Sequence, residues 1–382
     1  MTSKDTTKFK ELDFEGDDFL REVQTDKELE IDKKLIKLKR KDILELNNFE
    51  RIRWMYLMQI RHIELDRVMN DLDELLQPNI DVNIISIIGM TGAGKTTLAN
   101  NLNTRLRLAI FGDAPKCELP VLLVTVPSNG DRSLSWKALY LRILEVGLEP
   151  LPDLKRSLSI NDGYIEKKLN DRSTLDPLRR AIDSMLKNRK VKVLIIDEVL
   201  HMLRFGSYSA VMDTLKSIAD STKTKLVLIG AYNMAELMQE YGQVAKRGEI
   251  LHYRRYHYSI EEEKNEFLRI LEMMQNLWPC YEVPNLSIIG DLLMKANLGC
   301  VGLLKGSLLK LAHLQMRAKH EKFNSAFLKK AVKSKKLLSV IEDEVLAGEA
   351  VLIGATYGES LFADAAQATI LKELNGSVGN IT

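Results

Sequence analysis

The sequence predicts an α/β fold in which a doubly wound parallel sheet is followed by an all-helical region. Three observations predict it. Short runs of aliphatic and β-branched residues alternate with helical segments between residues 83 and 229. A glycine-rich loop joins the first run to a helix. From Glu261 onward the apolar residues recur at helical spacing, which indicates a second, helical domain.

Four apolar runs are the predicted strands, and each is short enough to be a buried parallel strand. They are Asn83–Ile88, Val121–Val126, Val191–Ile196 and Lys225–Ile229. Helices are predicted from about Lys95 and over Ser135–Val146, Leu175–Lys187 and Tyr208–Asp220. Residues 147–174 are polar and weakly patterned, which indicates an insertion or a mobile loop.

The two ends of the chain are predicted as extensions. Residues 1–30 hold ten acidic and five basic residues, typical of a solvated tail or of a docking arm that orders on a partner. Residues 31–46 have the pattern of a basic amphipathic helix, either an ordinary surface helix or a nucleic-acid contact. Residues 48–77 predict two helices that end before Pro78, and residues 350–382 predict a frayed tail.

Composition excludes several classes of protein. Of the 382 residues, 45% are hydrophobic and 28% charged, and 55 basic against 53 acidic residues leave a net charge of +2. These values argue against a disordered or fibrous chain and against a wholly basic nucleic-acid coat. The three cysteines are too far apart for a disulfide scaffold or a structural zinc site. With no long apolar run and no signal-peptide core, we expect a cytoplasmic protein without a membrane partner.

The loop after the first predicted strand carries the strongest motif. Residues 89–96 match GxxxxGK[ST] between a strand and a helix, the context in which this motif cradles phosphates. Lys95 would reach the β- and γ-phosphates of ATP, and the Thr96 hydroxyl would bind Mg²⁺. A glycine-rich turn that fits by chance is the alternative. The predicted nucleotide-binding residues are Gly89, Met90, Thr91, Gly92, Ala93, Gly94, Lys95, Thr96 and Thr97.

Two later strands end in polar residues at the same predicted edge of the sheet. Asp197 would hold Mg²⁺ through water and also contact the nucleotide site, and Glu198 would polarise the attacking water. The alternative for this pair is a cap on the following turn. Asn233 follows the next strand, where it would orient the water, although it would equally begin a turn. Arg247 is the candidate for stabilising the transferred phosphoryl group from a neighbouring subunit, or else a solvated surface arginine.

The motifs together, in their order, resemble one family. They are GMTGAGKTT, LIIDEVLHM, LIGAYN, AKRGEI and LGCVGLLKGSLLKLA. This series resembles the AAA+ ATPases of the TniB/TnsC group, which regulate target selection in DNA transposition. The resemblance covers roughly residues 50–320. Two departures are that no second arginine sensor is evident, and that Ala231 stands where many relatives carry a hydroxyl.

The resemblance implies a P-loop AAA+ core with a parallel sheet, a helical lid domain and flanking helical extensions. The expected bounds are 1–50 for the N-terminal extension, 51–260 for the core, 261–345 for the lid and 346–382 for the tail. It also implies a ring or helical homo-oligomer that assembles with ATP and Mg²⁺ on double-stranded DNA and contacts a transposase and a target-selection protein. Lys305 is the nearest basic candidate for the second sensor.

A DNA contact is expected after the second strand, because ATPases of this kind line a central channel with such loops. The segment Ser128–Lys137 is small, polar and cationic, and Arg132 and Lys137 would bind backbone phosphates, although an ordinary capped loop has the same composition. A second function stays open, a P-loop signalling switch whose helical region binds proteins and that makes no DNA contact.

Overall fold

A computed structural model describes residues 26–111, 118–126, 136–150, 158–161, 164–167, 175–199, 208–234 and 248–355. The strands are β1 (Ile84–Gly89), β2 (Val121–Thr125), β3 (Leu158–Asn161), β4 (Tyr164–Lys167), β5 (Val193–Asp197), β6 (Lys225–Gly230) and β7 (Gly248–Tyr253). The helices before β7 are α1 (Asp26–Ile36), α2 (Arg40–Ile43), α3 (Asn48–Leu57), α4 (Ile63–Leu75), α5 (Lys95–Phe111), α6 (Trp136–Val146), α7 (Leu175–Asn188) and α8 (Tyr208–Thr222). Those after β7 are α9 (Glu261–Asn276), α10 (Gly290–Ala296), α11 (Val301–Met316), α12 (Ala326–Ala331) and α13 (Lys335–Ala355), with 3-10 turns at Leu286–Ile289 and Lys319–Glu321.

The central sheet has five parallel strands in the order β2-β5-β6-β1-β7. The predicted α/β fold and its four strands are confirmed. The fifth strand, β7, is a correction, because the sequence analysis assigned no strand between residues 248 and 253. β7 lies at the sheet edge and is only partly buried, so its sequence GEILHY lacks the continuous apolar run of a central strand.

A short antiparallel hairpin, β3–β4, forms a separate two-stranded sheet. It falls within residues 147–174, for which the polar composition predicts an insertion or mobile loop. The interpretation as a loop is therefore wrong for these eight residues. A two-stranded ribbon is held mainly by backbone pairing, and four-residue strands are too short to show a clear alternation of apolar and polar residues in the sequence.

One apolar cluster surrounds the central sheet. It contains β1, whose six residues are all buried, and the inward faces of α4 to α8. It also contains Val345 and Leu352 of α13, although that helix stands at the end of the helical region in sequence. The sheet core is therefore closed by the C-terminal helix as well as by the helices between the strands.

A second apolar cluster lies in the helical region and includes the N-terminal helices. Trp54 of α3 is buried there together with Phe267 of α9 and Trp278. The buried Arg51 guanidinium forms two hydrogen bonds with the Glu321 carboxylate, at 2.7 Å each. The predicted helix over residues 31–46 is two short helices, α1 and α2, and α3 and α4 confirm the two helices predicted for residues 48–77.

The last described helix, α13, returns to the central sheet. The sequence predicts a frayed tail from residue 350, but α13 continues to Ala355 and crosses the expected boundary at 345/346. It packs closely on Tyr232, since a Cβ added to Gly348 would lie 2.1 Å from the Tyr232 ring. Among the described helices, none combines the length and apolar character needed to span a membrane.

Candidate nucleotide-binding site

The phosphate-loop motif lies where the sequence places it, between β1 and α5. Gly92 and Gly94 have φ of +83° and +96°, a backbone conformation that favours glycine. These two positive-φ residues turn the chain so that successive amides can face a single anion before α5 begins at Lys95. The loop therefore has the backbone geometry that binds phosphate groups at a helix N-terminus.

The Lys95 ammonium lies inside this loop. Its Nζ donates hydrogen bonds to the carbonyl oxygens of Gly89 at 2.9 Å and Met90 at 2.8 Å. Burial lowers the pKa of Lys95, while the negative charges of Glu198 and Asp197 oppose that shift. The two carboxylates predicted to act with Lys95 are thus close enough to interact with it electrostatically.

Asp197 ends β5 and is 2% exposed. Its Oδ1 accepts a hydrogen bond from the Glu198 N–H at 2.9 Å, whereas its buried Oδ2 has no hydrogen-bond partner among the described residues. Burial raises the pKa of Asp197, and hydrogen bonds from Glu198 and the Thr96 hydroxyl oppose that shift. A carboxylate oxygen buried beside a threonine hydroxyl fits a hard divalent cation such as Mg²⁺, which prefers oxygen ligands.

Glu198 follows Asp197 at an exposed position with φ of +59°. A non-glycine residue in this region costs about 1 to 3 kcal/mol and persists only where surrounding structure holds it. The next residue supplies that hold, because the buried Val199 donates its N–H to the Ile229 carbonyl at 3.2 Å. The turn directs Glu198 away from the sheet core, at the edge where the phosphate loop lies.

Asn233 is exposed three residues after β6 ends. β6 pairs with β1 on one side and β5 on the other, with Gly230 opposite Ile88 of β1. The carboxyl ends of the three strands therefore lie side by side, and Asn233 comes between Glu198 and the phosphate loop. Its neighbour Tyr232 is buried and its hydroxyl lies 3.1 Å from Nε2 of His252.

The first turn of α11 packs directly on the phosphate loop. A Cβ added to Gly302 would lie 2.0 Å from the Gly92 carbonyl oxygen, so only glycine fits at this distance. The Cys300 thiol is 3.4 Å from the same oxygen, and Leu303 lies against Gly92 from the other side. The glycine-containing stretch that the sequence analysis singled out, Gly299–Lys305, therefore joins the helical region to the phosphate loop.

An apolar pocket opens beside the loop. Its walls are the segment between α3 and α4, the start of α5, and the helices α9 and α11. The lining residues include Met58, Ile60, Gly94, Thr97, Met274 and Val301. A mostly apolar slot next to a phosphate loop can hold the base and ribose of a nucleotide. Sequence reasoning did not find the residues before β1, because only the tertiary fold brings them to the loop.

Lys305, the expected second sensor, lines this pocket. Its Nζ donates to the carbonyl oxygens of Tyr56 at 2.6 Å and Met58 at 2.8 Å, and burial lowers its pKa to about 8. The ammonium therefore holds the chain just after α3 against α11. A nucleotide contact by Lys305 remains a prediction.

Of the remaining basic candidates, the structure describes some and not others. Arg132 and Arg247 lie outside the described residues, and Lys137 is half-buried in the first turn of α6. Arg254 donates to Glu64 at 2.9 Å, and Arg255 forms hydrogen bonds of 2.8 and 2.9 Å with Glu349 of α13. The latter two arginines thus make ion pairs within the fold.

A family model described as "AAA domain" matches residues 81–238, a range that contains the phosphate loop, Asp197, Glu198 and Asn233. Residues 81–238 are an AAA domain. The chain is accordingly a P-loop ATPase, an enzyme that hydrolyses nucleoside triphosphate, and its AAA domain implies ATP binding. β7 and the helical region lie beyond the matched residues.

Several solved structures are similar in fold to much of the chain. The Aeropyrum pernix ORC1 protein in complex with DNA is 16% identical, with a TM-score of 0.50 over 77% of this chain and 68% of that one. The Aeropyrum pernix ORC2 protein is 18% identical, with a TM-score of 0.46 over 72% and 67%. Domain III of the Thermotoga maritima replication initiation protein DnaA is 17% identical, with a TM-score of 0.41 over 75% and 95%. Among curated proteins, none matches the chain.

Proposed function

We propose that this AAA ATPase assembles in its ATP state on double-stranded DNA and regulates DNA transposition by linking target selection to the transposase. The observation that carries the proposal is the contact between Gly302 and the Gly92 carbonyl. Through it, the loop that binds the phosphate is in direct contact with the helical region. Nucleotide state can then change the surface that a neighbouring subunit meets.

The chain's own residues account for hydrolysis. Amides of residues 89–96 and the Lys95 ammonium bind the triphosphate, and Thr96 and Asp197 would hold Mg²⁺. When bound, Mg²⁺ neutralises charge on the phosphate oxygens. Glu198 accepts a proton from the attacking water, and Asn233 orients that water from the neighbouring strand. Arg247 from an adjacent subunit would stabilise the transferred phosphoryl group.

The transposition role is supported by the order of the five motifs, which resembles that of the TniB/TnsC group from the phosphate loop to α11. DNA binding is supported by the cationic segment that ends at Lys137 and by the fold shared with the ORC1 protein, which was solved in complex with DNA. Arg132 and Lys137 are the proposed phosphate contacts within the AAA domain.

Assembly on DNA tests the proposal. Electron microscopy and light scattering of the purified chain with ATP, Mg²⁺ and duplex DNA should show rings or filaments that do not form without nucleotide. Lys95→Ala should weaken nucleotide binding and assembly together, since the loop loses its only lysine. A particle that stays monomeric under every condition would contradict the proposal and favour a signalling switch.

Mixed assemblies test the action of Arg247 in trans. Neither Arg247→Ala nor Lys95→Ala subunits should hydrolyse ATP alone. A mixture should recover part of the activity, because an intact Arg247 from one chain meets an intact phosphate loop of another. No recovery at any ratio would show that Arg247 does not act between subunits. For the transposition role, the test is a strand-transfer assay with a transposase of the same mobile element, in which target use should depend on the ATPase.

A further inference from the structure

The end of the helical region carries an unusual concentration of positive charge. Residues 310–336 contain nine lysines and arginines and one acidic residue, Glu321. We define the basic lid surface as Lys310, Arg317, Lys319, Lys322, Lys329, Lys330, Lys333, Lys335 and Lys336. Because the whole chain has a net charge of only +2, this segment differs sharply from the rest.

These side chains face solvent. Eight of the nine are exposed, and Lys333 is half-buried. They come from consecutive elements, the end of α11, the turn after it, α12 and the start of α13; α12 packs against α11 and is anchored by the buried Ala331. Lys310 of α11 and Arg317, the residue directly after that helix, are seven residues apart, which places them on one face about 10 Å apart, or about three base-pair steps of a duplex.

The charges are not neutralised within the described part of the chain. The acidic Glu321 is engaged by the Arg51 guanidinium through two hydrogen bonds of 2.7 Å. On the helices, the residues four positions after Lys335 and Lys336 are Ser339 and Val340, so neither lysine has a helical ion-pair partner there. Elsewhere the described chain does contain such pairs, as between Arg179 and Asp183. An ordinary solvated helix surface interleaves both signs of charge.

We infer that the basic lid surface is a second binding site for double-stranded DNA, separate from the segment around Lys137. Unpaired lysines on a fixed helical framework suit the phosphate backbone, which supplies affinity without sequence preference. Asn324, Ser325 and Ser334 are exposed among these lysines and are of types that hydrogen-bond phosphate oxygens.

A duplex fits this surface better than a single strand. Single-strand sites offer aromatic rings on which bases stack. The two aromatic residues of the segment, Phe323 and Phe327, instead pack against the second cluster and against each other, edge to face with centroids 6.5 Å apart. The segment therefore offers charge and hydrogen bonds without a stacking platform.

The inference rests on the proposed function only in taking duplex DNA as the ligand, and it requires no ATP-driven assembly. The test is therefore done with the full chain in the absence of nucleotide. Fluorescence anisotropy with a short labelled duplex would follow the affinity between about 50 and 200 mM salt. The test variant is Lys329→Gln/Lys330→Gln/Lys336→Gln, which changes three exposed side chains.

The matched control is Lys187→Gln/Lys192→Gln/Lys223→Gln. It removes the same charge from three exposed lysines at the opposite edge of the central sheet, beside the start of β5 and β6. The test variant should bind the duplex at least about tenfold more weakly at the low-salt end, and its slope of log affinity against log salt should be shallower by about 2 to 3. The control should retain the wild-type slope.

Three outcomes would overturn the inference. One is an unchanged slope in the test variant, and another is an equal change in the control. The third is a test variant that binds the duplex as the wild-type chain does but no longer binds poly-glutamate, a model acidic polypeptide. That result would assign the surface to acidic proteins. None of these touches the proposed ATP-driven assembly, which would fail separately if ATP and Mg²⁺ produced no particles on DNA with the wild-type chain.

Discussion

The Gly92 carbonyl oxygen faces Gly302 so closely that a Cβ on Gly302 would lie 2.0 Å from it. One glycine thus sets how near α11 approaches the phosphate loop. The contact joins the residue that allows the loop its left-handed turn, φ +83°, to the second residue of the helix.

Gly302→Ala should therefore push α11 off the phosphate loop. We expect a loss of about 1 to 3 kcal/mol in the free energy of unfolding, typical of overpacking, and a higher KM for ATP. Gly306→Ala is the control, because Gly306 lies on the same helix and a Cβ added to it would meet nothing within 4 Å. That substitution should stabilise α11 by up to about 1 kcal/mol. Urea unfolding and steady-state ATPase kinetics measure both, and equal behaviour of the two variants would refute the interpretation.

Glu198→Gln should separate ATP binding from hydrolysis. Without the carboxylate, the attacking water keeps its proton, so we expect hydrolysis to fall by about 10² to 10⁴ while ATP stays bound. Assemblies on DNA should live longer. The control is Glu344→Gln, another carboxylate near the loop, 3.5 Å from the Thr91 hydroxyl, which should change the rate only a few-fold. Phosphate release at the wild-type rate in Glu198→Gln would remove Glu198 from the catalytic role.

Glu349→Gln tests the attachment of α13 to the sheet. The variant leaves the Arg255 guanidinium, which is 16% exposed, beside a neutral partner. We therefore expect the free energy of unfolding to fall by about 1 to 3 kcal/mol. Asp66→Asn is the control, because its pair with Arg61 has side chains 41% and 80% exposed and should contribute at most about 1 kcal/mol. Thermal unfolding of both variants measures the difference. A similar small effect for both would mean that α13 is held by its apolar contacts alone.

Acid should destabilise the fold through His62. Burial lowers the pKa of His62 to about 4 from the ordinary 6.5, while the nearby Glu266 and Glu64 carboxylates oppose the shift. In this range the unfolded chain binds a proton that the folded chain does not, so the free energy of unfolding rises with pH. The stabilisation is complete above pH 6.5 and is lost as the pH falls toward about 4.

Between about pH 4 and pH 6.5, His62 should contribute up to about 1.4 kcal/mol of unfolding free energy per pH unit. His62→Gln should lower the slope of unfolding free energy against pH by about that amount. His313→Gln is the control, since His313 is exposed on α11. Urea titrations at several pH values would show the difference, and an unchanged slope in His62→Gln would refute the assignment.

The phosphate loop and the carboxylate pair could be predicted because their chemistry is local. Gly89–Thr96 and Asp197 follow apolar strands, and the ends of parallel strands meet at one sheet edge. The position of Asn233 follows from the same rule once β6 is assigned. The strand order, which puts β6 between β5 and β1, is what brings the three together.

What could not be predicted depends on distant packing. Nothing in the sequence of α13 indicates that Gly348 lies on Tyr232, because a helical apolar pattern does not specify which surface it covers. The same holds for Trp54, which falls within the bounds expected for the core but lies in the helical-region cluster of Phe267. β7 was missed because an edge strand is half-exposed and mixes polar with apolar residues.

The path of α13 constrains how the two apolar clusters can move. Within the described residues the chain passes between them before α4, after β7 and before α13, and Cys300 brings the start of α11 back to the sheet cluster. A body tethered to another at a single junction can swing in many directions, but several tethers leave few. Any rearrangement that ATP drives must stretch or rotate all of these connections together, so opening is expected to be a small coordinated rotation instead of a wide swing.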